Sequence, residues 1–195
     1  MNAALPWAVA DIALLALIAL AAGQRFSRVP AGGGELTTPM GSPIQGSGRA
    51  PDISSLTPAE RAERLYDRIM GAAERGRADT VQFFMPMALQ AYEALGPLNV
   101  DQRYDLGRLA EVAGDARLAT AQADTILRSQ PQHLLGLVLA SRAARLRGDE
   151  RASVQFLERL SRAERAEREK QLPEYLLHQN DIDIALAELR QQKSR

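Results

Sequence analysis

Side chains able to do chemistry are few in this chain. It has no cysteine, which removes thiolate catalysis, disulfide frameworks and zinc ribbons together. Two histidines are present, His133 and His178. His133 follows Pro131-Gln132 at the start of a helical pattern, where a surface or capping role is expected. His178 has Glu174 one helical turn before it, but a single imidazole–carboxylate pair falls short of the three or four ligands a metal site uses. No phosphate loop, dinucleotide fingerprint, nucleophile elbow or paired-histidine zinc motif occurs. No catalytic residue, metal or cofactor is therefore assigned, and the chain reads as a non-enzyme. The 24 basic side chains balance 24 acidic ones, so nucleic acid is not expected as a partner. What remains is a role in contact with a membrane and with other proteins.

Residues 5–23 read LPWAVADIALLALIALAAG. This is close to the roughly 20 apolar residues that carry a helix across about 30 Å of hydrocarbon. Trp7 suits the headgroup region, and Arg25 and Arg28 follow the span. A single N-terminal membrane anchor is the expectation. A cleaved signal peptide is the rival, since Ala19-Leu20-Ala21 resembles a cleavage site, but no Lys or Arg precedes the apolar run. Asp11 reads either as an intramembrane partner or as a charge tolerated near the interface. Positive-inside counting leans toward a cytoplasmic C-terminal domain.

Residues 24–57 are rich in Gly, Pro, Ser and Thr with no apolar period, as in a linker that cannot bury enough to offset its ordering entropy. Gly32-Gly33-Gly34 lacks the strand, helix and Lys-Ser/Thr pair of a phosphate loop. As a flexible coil, this stretch would reach about 30 Å.

From residue 58 to 193 the pattern is helical throughout, with no competing strand period. Thr57-Pro58-Ala59-Glu60 is a capping box with Pro at the first helical position. Helices are expected from there to Gly76, then over about 78–95, 101–113, 116–129, 133–147, 150–170 and 174–192. Pro86 should kink the second or free one carbonyl. Between Glu158 and Lys170 the charges alternate as on a solvated helix face, with Glu164–Arg168 and Arg165–Glu169 at i,i+4.

Two markers share one period. Gly114-Asp115 and Gly148-Asp149 are 34 residues apart, and so are Pro97 and Pro131. The interval resembles that of tetratricopeptide repeats, which are helix–turn–helix units of this length. Counting from Val100, Leu106-Gly107 resembles the family's Leu-Gly pair, Gly114 falls at the turn, Ala119 at the small residue of the second helix and Pro131 at the closing proline. From Leu134, the equivalents are Ala140, Ser141, Gly148, Ser153 and Leu157. Gly107, Ala119, Ser141 and Ser153 are expected where the two helices of a hairpin cross closely. Leu109, Ile126, Leu127, Leu157 and Leu160 should fill the space between hairpins. The first repeat departs, because Pro97 and Gly76 set registers four residues apart. The resemblance covers about residues 58–170 and implies an all-α fold of about three hairpins. The segment 174–192 would then be a capping helix with Leu176, Leu177, Ile182, Ile184, Leu186 and Leu189 as its apolar face.

The resemblance also implies a groove lined by the first helix of each repeat. By position it would present Tyr104, Arg108, Glu111, Val138, Arg142 and Arg145, joined by Asp67, Met70 and Glu74 in the Pro97 register. Three guanidinium forks facing one cavity suit a carboxylate or an acidic peptide. The alternative is that they are solvated and paired with Glu111, Asp149 or Glu150. The chain thus resembles a bacterial membrane-anchored tetratricopeptide-repeat protein, which implies a non-catalytic scaffold for a peptide or protein partner. The alternative is a structural subunit docked permanently in an envelope, secretion or cytochrome-maturation complex, with its groove unused.

Overall fold

The computed structural model describes residues 56–194. The anchor read at 5–23, and the linker read at 24–57 save its last two residues, lie outside the described residues. Among the described residues every regular element is an α-helix, and no helix is long and apolar enough to cross a membrane.

The helices are α1 (Pro58–Glu74), α2 (Ala78–Ala94), α3 (Val100–Val112), α4 (Ala116–Ser129), α5 (Leu134–Leu146), α6 (Glu150–Arg168), α7 (Pro173–Leu177) and α8 (Gln179–Lys193). Their starts are written in short-range chemistry. The Thr57 hydroxyl accepts from the Glu60 amide while the Glu60 carboxylate accepts from the Thr57 amide. Asn99 and Gln102 do the same for α3, and Asp115 and Asp149 cap α4 and α6. Gly114 and Gly148 both adopt φ of 76°, a left-handed turn that a β-carbon would strain. α2 continues through Pro86 without interruption.

Six helices form three hairpins, α1–α2, α3–α4 and α5–α6. α1 packs on α3, α3 on α5 and α4 on α5, so each hairpin leans on the next. The second and third hairpins repeat at 34 residues, from Val100 to Leu134 and from Ala116 to Glu150. The first departs because α2 has 17 residues where α4 has 14 and because the connection after it is longer, which accounts for the four-residue offset between Gly76 and Pro97.

Between hairpins, Leu109 packs with Ile69, Met85, Ala88 and Tyr92 of the first hairpin. Ile126, Leu157 and Leu160 join a second cluster with Leu135, Leu137 and Leu139. Ser141 and Ser153 share a buried hydrogen bond of 2.9 Å where α5 and α6 cross, in line with the expected close approach, and Ala119 is fully buried. Gly107 serves a different contact. A β-carbon there would lie 2.2 Å from a methyl of Leu139 on α5, so its smallness admits the neighbouring hairpin rather than its own second helix.

The C-terminal segment also differs from the single helix expected. At His178 the backbone leaves the helical region (φ −108°, ψ 26°), which divides it into α7 and α8. Ile182, Leu186 and Leu189 are buried as a capping face requires, whereas Leu176, Leu177 and Ile184 are exposed. α8 packs against both α5 and α6.

Candidate functional site

The residues read as a groove do come together, but α8 lies across them. Tyr104 and Val138 are fully buried. The Tyr104 hydroxyl donates to Asp181 of α8 over 2.7 Å. Arg108 pairs with Glu111 on its own helix and lies 3.4 Å from Asp181. Arg142 lies 3.1 Å from Asp181 and 3.4 Å from Glu111, and Arg145 lies 2.8 Å from Glu188 of α8. The three forks are thus neutralised by Glu111, Asp181 and Glu188, not by Asp149 or Glu150. Asp181 and Glu188 come from 39 and 43 residues beyond their arginines. No sequence spacing would point to them.

Glu174, expected beside His178, faces His133 instead. His133 is fully buried rather than superficial, and as the residue before α5 it makes no capping bond. Its Nε2 lies 3.3 Å from Glu174, and its ring packs 4.8 Å from that of Tyr175. The Tyr175 hydroxyl accepts from the Leu134 amide and donates to the buried Glu167. His178, expected beside Glu174, instead faces Asp101 at 3.0 Å and Asp105 at 3.5 Å.

Burial holds the His133 pKa below the usual imidazole value, against the opposing hydrogen bond and charge of Glu174 and the charge of Glu167, while Lys170 adds to the lowering. With the folded pKa depressed, the native state binds fewer protons than the unfolded chain below the unfolded value of about 6.5, so this contribution is lost as pH falls. The unfolding free energy of the wild type should therefore drop relative to that of His133→Gln between about pH 7 and pH 5. Parallel curves for the two proteins in denaturant titrations would show that His133 is not the group involved.

A second region is built from α1, α3 and the α7–α8 joint. A hollow of about 360 Å³ is lined by Glu63, Tyr66, Asp67, Tyr92, Asp101, Asp105, Leu177 and His178, among others. Burial raises Asp105 to about 7, with Asp101 and Asp67 adding to the rise and His178 and the Tyr92 hydrogen bond opposing it. Burial works against charge on His178. The hydrogen bond to Asp101 and the charges of Asp105, Asp101 and Asp181 outweigh it, so its pKa lies above the usual value. The four-residue spacing of Asp101 and Asp105 was a legible hint of two carboxylates on one helix face, but their meeting with His178 was not.

No family model, curated protein or solved structure matches the chain.

The third feature is apolar and sits on the first hairpin. Phe83 is 68% exposed, and Met87, one turn later, 39%. On one flank of α2 a hollow of about 380 Å³ is lined by Leu65, Met87, Ala91 and neighbours. Where α2 meets the end of α3, Val81, Met85, Pro86 and Leu89 help line another of about 590 Å³, shared with Val112 and Ala113 of the second hairpin.

Proposed function

We propose that the protein is a membrane-tethered, non-catalytic subunit of the tetratricopeptide-repeat type, docked to a protein partner through the outer surface of its first hairpin. The tether is the apolar run at 5–23. Support for the repeat type is the 34-residue recurrence of helix starts in the second and third hairpins.

The observation that carries the docking surface is the contrast between the two ends of the helix stack. A hairpin in such a stack covers its neighbour's apolar side, and the ends need closing. α8 closes the C-terminal end with Ile182, Leu186 and Leu189. On the first hairpin, Phe83 and Met87 stay exposed, and Met87 helps line a hollow formed by α1 and α2 alone. Another protein's amphipathic helix, laid along α2, would bury them as a further layer. The arginine groove is the weaker surface, because an acidic peptide would have to displace Asp181 and Glu188 before reaching Arg142 and Arg145.

Crosslinking in native membranes, with identification of the crosslinked chain, separates the two surfaces. Phe83→Ser with Met87→Ser should weaken retention of the partner by about 30-fold, the loss of roughly 2 kcal/mol at one aromatic anchor. Arg145→Ala should leave it unchanged. The opposite pattern would return the function to the groove.

A further inference from the structure

Asp101 and Asp105 stand one turn apart on α3, and His178 reaches them from far along the chain, 77 positions beyond Asp101. Its Nε2 lies 3.0 Å from Asp101 Oδ1 and 3.5 Å from Asp105 Oδ1. One ligand atom from each of the three lies within 4.8 Å of the other two. Donor atoms bonded to one tetrahedral zinc ion at about 2.0–2.2 Å stand about 3.4 Å from one another. The two distances to His178 already fall around that value.

Asp105 supplies an independent observation. The residue is only 9% exposed, and its Oδ1 is sealed from solvent with no hydrogen-bond donor, only the ion-pair contact to His178 at 3.5 Å. Its other oxygen accepts from the Tyr92 hydroxyl over 3.2 Å. A buried carboxylate oxygen without a donor is costly, and such groups in native proteins are normally satisfied by a donor or an ion. This oxygen is the one that faces His178 Nε2. The adjoining hollow adds Glu63 and Asp67, two more carboxylates favouring a cation, and leaves room for water to complete a coordination shell.

We propose that Asp101, Asp105 and His178 bind one divalent transition-metal ion of the zinc type. One imidazole with two carboxylates is a mixed nitrogen and oxygen set, which suits such an ion better than magnesium or calcium, whose ligands are oxygens. The ion takes the place of the His178–Asp101 hydrogen bond and satisfies Asp105 Oδ1. Tyr92, donating to Oδ2, orients that carboxylate. Because the ligands come from α3 and from the joint between α7 and α8, the ion ties the C-terminal segment to the second hairpin.

The test is calorimetric titration of the untagged full-length chain, stripped with chelator, using zinc chloride and, in parallel, magnesium chloride. A single zinc ion per chain is expected, with magnesium far weaker and a melting temperature that rises with zinc, since the ion binds the folded state. Asp101→Asn and His178→Gln should each weaken zinc binding by about tenfold or more. Asp105→Asn should do the same while keeping an acceptor for Tyr92. Asp124→Asn, an exposed carboxylate on α4, should change nothing. Melting followed by circular dichroism without metal identifies any variant that does not fold, and Asp101 is the ligand whose change disturbs least, being partly exposed. The proposal is overturned if folded wild type takes up no zinc, or if folded Asp101→Asn and His178→Gln bind it as wild type does. It is equally overturned if the hollow takes a lysine- or arginine-rich peptide and excludes zinc.

Discussion

Asp181→Ala is expected to lower the melting temperature by about 10 °C, corresponding to a loss near 3 kcal/mol. One carboxylate on the first turn of α8 accepts from the Tyr104 hydroxyl and from Arg142, and lies 3.4 Å from Arg108 Nε. Tyr104 is fully buried, so its hydroxyl would lose its acceptor in a place water does not reach. That alone costs about 1–3 kcal/mol. The two guanidiniums would keep only Glu111 between them, and stranding charge in a sheltered site is costlier than losing an exposed pair. Asp181→Asn keeps an acceptor and should fall between wild type and alanine. Asp183→Ala is the control. Asp183 pairs with Arg168 over 2.5 Å, but the carboxylate is half exposed, and such pairs contribute less than about 1 kcal/mol. Equal melting temperatures for Asp181→Ala and Asp183→Ala would mean that α8 does not hold the inner helices together.

Gly107→Val is expected to cost about 3 kcal/mol, at the upper end of what overpacking a core incurs. A β-carbon at this position meets all three outer carbons of Leu139, the nearest at 2.2 Å. Leu139 is fully buried, and in a close-packed interior a displaced side chain pushes on its neighbours. Gly107→Ala is the milder form. Its clash is set against about 1 kcal/mol of better helix propensity, so a smaller net loss follows. The pairing can be isolated, because shortening Leu139 should make room for the added methyl. Leu139→Ala alone should cost about 2–5 kcal/mol, and the double variant Gly107→Ala with Leu139→Ala should be more stable than the sum of the single losses implies. Strict additivity in denaturant unfolding would place the close approach elsewhere.

The sequence made the helices legible because their signals are local. Thr57 and Glu60, Asp115 and Asp149, and Gly114 and Gly148 act within a few residues of themselves. A sequence met alone displays such chemistry in full. The 34-residue interval likewise foretold the matching second and third hairpins. The candidate sites were legible only in part. Helical spacing pairs Tyr104 with Arg108 and Arg142 with Arg145, and the repeat resemblance implies that both pairs share a side, but neither tells what lies on that side, and α8 supplies the answer through Asp181 and Glu188. His133 looked superficial because it follows Pro131-Gln132 at a helix start. It is buried because α7 returns and lays Tyr175 against it. Gly107 was seen as a small residue, and only the packed helices reveal that α5, not α4, requires it. In each case the residue type was informative, and the missing quantity was the identity of a neighbour many positions away.

Hydrogen–deuterium exchange along α8, in the native full-length chain, bears most directly on the claim that this helix is a fixed part of the stack. The amides of Ile182, Ala185, Leu186 and Leu189 should exchange as slowly as those of α5, because both open only when the hairpins separate. Exchange at the rate of a frayed terminus, with α5 still protected, would contradict the account and return Arg108, Arg142 and Arg145 to an open groove.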